Sequence, residues 1–245
     1  MFFFHKSVYL IDLIEGITDM HNHILPGIDD GAPNLDTTIE MVRAMKSIGI
    51  KNCIATPHTM EDYYHNDVEK IEKVHLFTKK ELAATDTRDF IIKAASEYMM
   101  DSQFDQILED RNFLCVHKNY ILTELSYFQR PDQLEELVFK MNQKDLIPIL
   151  AHPERYRYFK SLEVFKNLKE RGFDLQLNLL SLTQHYGDEA FKKAKELLEK
   201  GLYEFIGTDA HKVEHIEKIK EITIKKKQIP FVNKLVDNHK LVFDF

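Results

Sequence analysis

A chain of 245 residues is long enough to bury a core without disulfide staples, and it contains no Pro/Gly/Ser-rich linker or shift in composition that would divide it, so a single domain over 1–245 is expected. The net charge of −7 argues against a nucleic-acid groove, and no apolar run approaches the length needed to span a membrane. Two cysteines far apart in sequence, Cys53 and Cys115, each inside an apolar run, read as reduced, buried thiols of a cytoplasmic protein. Neither has an arginine six residues on, where Thr59 and Ile121 stand, so cysteine-nucleophile phosphatase chemistry is not expected.

Residues 1–16 read as an N-terminal packing segment. MFFF has no basic start before it, and no small-residue cleavage site follows, as a signal peptide would require. Ile11, Leu13, Ile14, Ile17 and Met20 predict an inner strand that ends in Asp19-Met20-His21-Asn22-His23, then turns through Pro26 and Gly27 to Asp29-Asp30-Gly31. Residues two apart on a strand share a side, so His21 and His23 present two imidazoles to one point, to which the turn can return Asp30. Asn34 or Asp36 caps a helix with Ile39, Val42, Met45 and Ile48 at helical spacing, closed by Gly49. A second strand, Lys51 to Thr56, ends at Pro57-His58. A polar helix over Asp67 to Ala84 leads to a third, Phe90 to Ala95, that runs into Ser96-Glu97-Tyr98.

Met99 to Lys118 is an excursion, with a short helix around Phe104 to Leu108 and a strand-like Asn112 to His117. The fourth strand, Asn119 to Thr123, ends at Glu124, and Pro131 opens a helix through Asn142. The fifth, Leu146 to Ala151, ends in His152-Pro153-Glu154-Arg155. Helix Ser161 to Arg171 precedes the sixth, Asp174 to Leu179, and helix Asp188 to Lys200 the seventh, Tyr203 to Gly207, which ends in Thr208-Asp209-Ala210-His211. A charged helix is expected to Lys227, its basic run Lys225 to Lys227 a solvated end, and residues 228–245 a mixed tail packed on the outside.

Seven strand-then-helix units with continuously apolar strands predict an α/β fold, a parallel barrel better than an open doubly wound sheet. His21, His23, His58, Glu97, Glu124, His152, Asp209 and His211 fall at or just past the C-terminal ends of six of the seven strands, the face on which barrel enzymes build their sites. So many imidazoles and carboxylates gathered together need cations. A nitrogen and oxygen donor set without cysteine fits Mn²⁺, Fe²⁺ or Zn²⁺, and nine candidates, Asp30 included, suit two or three ions with a bridging carboxylate. Such clusters generate hydroxide near neutral pH and hold the oxygens of a phosphate ester. Arg155 is placed either to add a guanidinium fork to that phosphate or to pair with Glu154 or another loop acid.

The set D-M-H-N-H, D-D-G, T-P-H, S-E-Y, A-H-P-E-R-Y and G-T-D-A-H resembles the PHP (polymerase and histidinol phosphatase) superfamily and, within it, the bacterial capsule-type manganese-dependent protein-tyrosine phosphatases, from about Ile17 to His215. The resemblance implies a distorted (β/α)7 barrel with a metal cluster at the C-terminal ends of its strands. It also implies hydrolysis of phosphotyrosine on the tail of a bacterial tyrosine kinase that controls capsule or exopolysaccharide export. Through it, His21, His23, Glu97 and Asp209 are expected at one Mn²⁺, Glu97, Glu124 and His152 at a second, and Asp30, His58 and His211 at a third. Arg155 acts in the catalytic set with His58 and His211 and binds substrate. Relatives carry a second arginine where this chain has Ile216, so either Arg130, Lys212 or His215 takes part of its role or none does. The competing expectations are a PHP phosphatase for a small phosphomonoester such as histidinol phosphate, and a catalytically weak metal-binding or kinase-binding module.

Overall fold

The computed structural model describes residues 7–244; the MFFF run lies outside them. In chain order the elements are β1 (Ser7–Tyr9), α1 (Ile11–Ile14), β2 (Thr18–Asp19), α2 (Leu35–Ser47), β3 (Asn52–Ala55), β4 (His58–Thr59), α3 (Val68–Leu82), β5 (Ile91–Ala94), β6 (Glu97–Met99), α4 (Ser102–Asp110) and β7 (Tyr120–Glu124). They continue with α5 (Leu134–Gln143), β8 (Ile147–Ala151), α6 (Leu162–Glu170), β9 (Asp174–Asn178), α7 (Gly187–Glu199), β10 (Phe205–Gly207), α8 (Val213–Lys220), β11 (Thr223–Lys225) and α9 (Ile229–Phe243). Helix starts follow side-chain chemistry: Asn34, Asp67 and Asp101 each accept a backbone N–H at the N-caps of α2, α3 and α4.

All seven expected strand positions carry parallel strands, but two are broken. The second interrupts at Thr56-Pro57 to give β3 and β4, and the third at Ala95-Ser96 to give β5 and β6. Proline has no N–H to continue a ladder. Instead the Pro57 carbonyl accepts from the Glu97 amide at 3.0 Å and the Ser96 hydroxyl at 2.9 Å. The ladders therefore regroup as β2-β3-β5 and as β4-β6-β7-β8-β9-β10. Past the strand ends, Asn22 and Ala210 form a parallel bridge, and the Asp209 amide donates to the His21 carbonyl at 2.8 Å. The outcome is an α/β fold with a curled parallel sheet.

Two apolar clusters divide the interior. The larger lies between sheet and helices. The smaller, Met20, Ile54, Ala95, Val116, Leu122, Ile149, Ala151, Phe205 and Phe243, draws on successive strands and on α9, and fills the inside of the curl.

Five expectations are corrected. Ile11–Ile14 is a helical turn instead of a strand lead-in, and the chain reverses at Gly16, whose φ of +77° is open to glycine. Asn112 to His117 forms no strand beyond a single bridge of His117 to Tyr120, and the helix expected from Pro131 begins at Leu134. The tail after Gln228 is the 15-residue helix α9, in which Val232, Leu235, Val236, His239 and Phe243 are buried. His239 caps strand ends, its Nε2 2.7 Å from the Thr18 carbonyl, and the Phe243 ring lies 5.1 Å from that of Phe205. The charged stretch before it is split, with β11 pairing antiparallel to β1.

Candidate metal centre

The two signature turns are pinned to each other before any metal enters the argument. The buried Asp19 carboxylate accepts from the Thr208 hydroxyl at 2.6 Å and the Thr208 amide at 2.9 Å, and Asn22 donates to it at 3.1 Å. Two glycines permit this approach. A Cβ on Gly31 would lie 2.0 Å from the His23 carbonyl oxygen, and one on Gly207 would lie 2.7 Å from the His21 Cβ. His152 and Asp209 sit in the left-handed region at φ +37° and +50°, a backbone strain of about 1 kcal/mol or more each that clusters at functional sites.

Three of the five imidazoles are then oriented by their second nitrogen. His21 Nδ1 lies 3.0 Å from Gln176 Oε1, His23 Nδ1 2.8 Å from Asp29 Oδ2, and His211 Nδ1 2.9 Å from the Asp209 carbonyl. Those acceptors fix the proton on Nδ1 and leave Nε2 as a free lone pair, the arrangement of metal-ligating histidine. His21 Nε2 is 3.1 Å from Glu97 and 3.4 Å from Asp209; His23 Nε2 is 3.5 and 3.4 Å from the same carboxylates. His58 Nδ1 faces Glu124 at 2.9 Å and Glu97 at 3.2 Å, and His152 Nε2 lies 3.0 Å from Glu97. Asp30 reaches the Nε2 atoms of His58 and His211 at 3.5 and 3.4 Å.

Three overlapping groups have ligand atoms within 4.8 Å of one another: His21, His23, Glu97 and Asp209; His23, Asp30, His58 and His211; and His58, Glu97 and Glu124. All nine expected ligands meet at this mouth. The grouping differs from the expected one in three respects: His23 also joins Asp30, His58 and His211; His58 joins Glu97 and Glu124 as well; and His152 reaches the cluster through Glu97. The residues fit cations. His58 Nδ1, Glu97 Oε2 and Glu124 Oε1 are buried, a few ångströms apart, and make no hydrogen bond. Burial alone would push the Glu97 carboxyl up, yet His21, His58 and His152 hold it well below the carboxylate range, so it is a charged acceptor. Burial opposed by Glu124 and Glu97 takes His58 the other way, up to about 9.

Arg155 stands at the edge of the cluster. Its guanidinium lies 4.1 Å from the Tyr186 ring centre and 4.7 Å from that of Tyr127, and Nη1 donates to Asp209 Oδ2 at 2.8 Å. Glu154 is not its partner: that buried side chain accepts from the Asn178 amide at 3.2 Å and the Tyr203 hydroxyl at 2.9 Å. Arg155, His152, His58, Asp30 and His211 line a cleft of about 640 Å³, walled by the loops Met60–Tyr64 and Ser126–Gln129.

Arg130 is not brought to this cleft. It pairs with Glu135, a carboxylate in the first turn of α5 that Arg171 also grips. Ile216 is fully buried on α8 and Lys212 is exposed. Of the proposed replacements, His215 touches the centre, its Nδ1 accepting the His211 amide at 3.3 Å. Sequence reading missed Asp29, Asp19, Gln176, Asn178, Tyr127 and Tyr186. A signal existed for two of them: Gln176 and Asn178 are polar residues alternating with Leu175 and Leu177 in β9, and Asn178 donates to Asp209 at 2.7 Å.

Residues 17–239 match the family described as capsular polysaccharide synthesis, CpsB/CapC. Over 197 residues the chain is 32% identical to the tyrosine-protein phosphatase YwqE of Bacillus subtilis (strain 168), covering 80% of this chain and 77% of that protein. It is 27% identical over 199 residues to the putative tyrosine-protein phosphatase CapC of Staphylococcus aureus, covering 80% and 78%. Its fold superposes with a TM-score of 0.76 and 31% identity, over 83% of this chain and 84% of the other, on a chain from the crystal structures of YwqE from B. subtilis and CpsB from Streptococcus pneumoniae, reported as unique metal-dependent tyrosine phosphatases. Together these place the chain in the CpsB/CapC capsular polysaccharide synthesis family.

Proposed function

We propose that this protein is a metal-dependent protein-tyrosine phosphatase, a cytoplasmic single-domain enzyme that removes phosphate from the tyrosine-rich tail of a bacterial kinase controlling capsule or exopolysaccharide export. The observation that carries the reading is the set of overlapping nitrogen and oxygen ligand groups, with buried ligand atoms that make no hydrogen bond, directly beside an arginine held between two aromatic rings. We read the fold as a distorted (β/α)7 barrel closed where the chain after β2 meets the chain after β10, with the centre at its mouth.

Mn²⁺ suits the mixed imidazole and carboxylate donors, with Fe²⁺ or Zn²⁺ compatible. His21, His23, Glu97 and Asp209 would hold one ion, Glu97, Glu124 and His152 a second, and Asp30, His58 and His211 a third. Bound there, the ions supply a water of lowered pKa and charge to match the phosphate oxygens. The protein's own groups do the rest. Gln176, Asp29 and the Asp209 carbonyl hold the imidazoles in the tautomer that leaves Nε2 free. Arg155 offers a planar fork to a phosphate oxygen, and its aromatic clamp limits the rotamers it must lose on binding. Asp209 is shared between Arg155 and the imidazoles, which couples phosphate binding to the occupied centre. Cys53 is buried and Cys115 half-buried, and neither lines the cleft, so no thiol is available as nucleophile.

The test is turnover of phosphotyrosine peptides by the purified protein, with elemental analysis of the same sample. Activity that disappears on exhaustive chelation, returns with Mn²⁺ and is lost in a folded His152→Ala variant is the expected result. Preference for histidinol phosphate over phosphotyrosine peptides, or a His152→Ala variant with more than about a tenth of the wild-type kcat, a barrier change under ~1.4 kcal/mol, would overturn the assignment.

A further inference from the structure

The basic run Lys225 to Lys227 does not simply face solvent. With Lys195 of α7 and Lys218 of α8 it lines an open groove of about 880 Å³, floored by Leu182, Phe191 and Ile222. Five lysines face a single glutamate there, Glu221, in a chain whose net charge is −7. Glu199, just outside, shares the charge of Lys227 at 3.1 Å. Lys195 stretches over the Phe191 ring at 3.8 Å, and burial together with the nearby charges of Lys225 and Lys227 makes its ammonium easier to deprotonate, the mark of cations crowded together.

One short segment of chain runs between the groove and the metal centre. Thr183 and Gln184 line the groove, while two residues on the Tyr186 ring lies against Arg155. Between them His185 accepts from Lys218 Nζ at 3.0 Å and packs at 5.0 Å on His215, which in turn contacts His211. Residues 183–186 thus supply Thr183 and Gln184 to the wall of the groove and Tyr186 to one side of the arginine site.

We propose that this groove is a docking surface for an acidic polypeptide segment, the stretch of the phosphoprotein substrate that flanks the phosphotyrosine held at Arg155. The proposal rests on the phosphatase reading and names the substrate class it serves: phosphotyrosine with Asp/Glu-rich or further phosphorylated neighbours. Lysines around an apolar floor suit a chain in which acidic side chains alternate with apolar or aromatic ones. Nucleic acid would need a longer basic track than one groove on an acidic protein.

The test uses the full-length protein and two readouts. The first is fluorescence anisotropy of a labelled Asp/Glu-rich peptide carrying no phosphate, which reads the groove whatever the enzyme hydrolyses. The second is kcat/KM on phosphotyrosine peptides with acidic or neutral flanks. Lys225→Glu/Lys226→Glu changes two exposed positions and leaves the core untouched; Lys195→Gln probes the ring-stacked lysine. Expected is a loss of about tenfold in peptide affinity for the double variant at low salt, a comparable loss for wild type on raising the salt, and a matching rise in KM for acidic-flank peptides. Neutral-flank peptides and p-nitrophenyl phosphate should stay within twofold. Equal binding of the acidic peptide by wild type and double variant would overturn the proposal, as would loss of binding to phosphatidylserine vesicles or to DNA with acidic-peptide binding unaffected. Charge-dependent peptide binding without turnover of any phosphotyrosine peptide would leave the groove standing and remove the phosphatase reading.

Discussion

The two ends of the curled sheet solve opposite problems. At the floor, Phe243, Phe205, Tyr120 and His239 close the curl with ring-to-ring contacts, and the one buried imidazole there is satisfied by the Thr18 carbonyl. At the mouth, five histidines and four carboxylates crowd together with three buried polar atoms left without hydrogen bonds. Packing at the floor stabilises the fold whatever is bound; the mouth is a local liability that cations would relieve. Stability and chemistry are therefore separable, and substitutions at the two ends should fail in different ways.

The largest effect is expected from Glu97→Gln. This carboxylate lies within 3.5 Å of His21, His23, His58 and His152, so removing its charge strikes two of the three ligand groups directly and the third through His23 and His58. Phosphatase kcat should fall at least ~10³-fold, about 4 kcal/mol in the barrier. Metal content should drop, while the melting temperature of metal-free protein changes little. A variant that melts early in the absence of metal would mean that the mouth also carries the fold.

At the floor, Phe243→Ala should cost about 3–5 kcal/mol of stability through the cavity it leaves. Denaturant unfolding would read the loss, and kcat/KM per folded molecule should remain within a factor of two. If activity fell in proportion instead, the floor would be coupled to the metal centre and the separation would fail.

Between these lies Arg155, which binds no proposed ion and yet touches Asp209. A hydrogen bond to a charged phosphate is worth ~1.5–3 kcal/mol, so Arg155→Ala should lower kcat/KM roughly 10- to 150-fold with metal content unchanged. Arg155→Lys should be nearly as harmful, since an ammonium supplies neither the fork nor the flat face stacked by Tyr127 and Tyr186. Variants within about twofold of wild type on p-nitrophenyl phosphate and on phosphotyrosine peptide would show the residue to be only a partner of Asp209.

The smallest effects belong to the cysteines. Burial pushes both thiols up, Cys53 well above its usual range and Cys115 to about 11, so neither is a thiolate at neutral pH. Cys115→Ser should leave kcat and stability alone. Cys53→Ser should keep kcat within twofold while losing about 1–3 kcal/mol of stability for a buried hydroxyl. A folded serine variant without activity would reopen a thiol mechanism.

The sequence by itself determined the parallel strand positions and which residues end them, because continuous apolar runs specify buried strands and polar residues at their C-terminal ends have nowhere to go but the mouth. It also offered Asn34, beside Asp36, as the cap of α2, since capping is local chemistry. Relations between distant segments were left to the tertiary structure. The break at Pro57 regroups the ladders only because Glu97 and Ser96 are there to bond its carbonyl. Residues 228–245 read as a mixed tail because the apolar stripe of α9 alternates with Lys and Asn, and its burial needs the open end of the curl as a partner. Arg130 sits close in sequence to the cleft, but Glu135 draws it away. Gln176, Asp29 and Tyr186 gained their roles from neighbours up to 155 residues off, as in the bond from His21 to Gln176, and no local pattern encodes a contact at that separation.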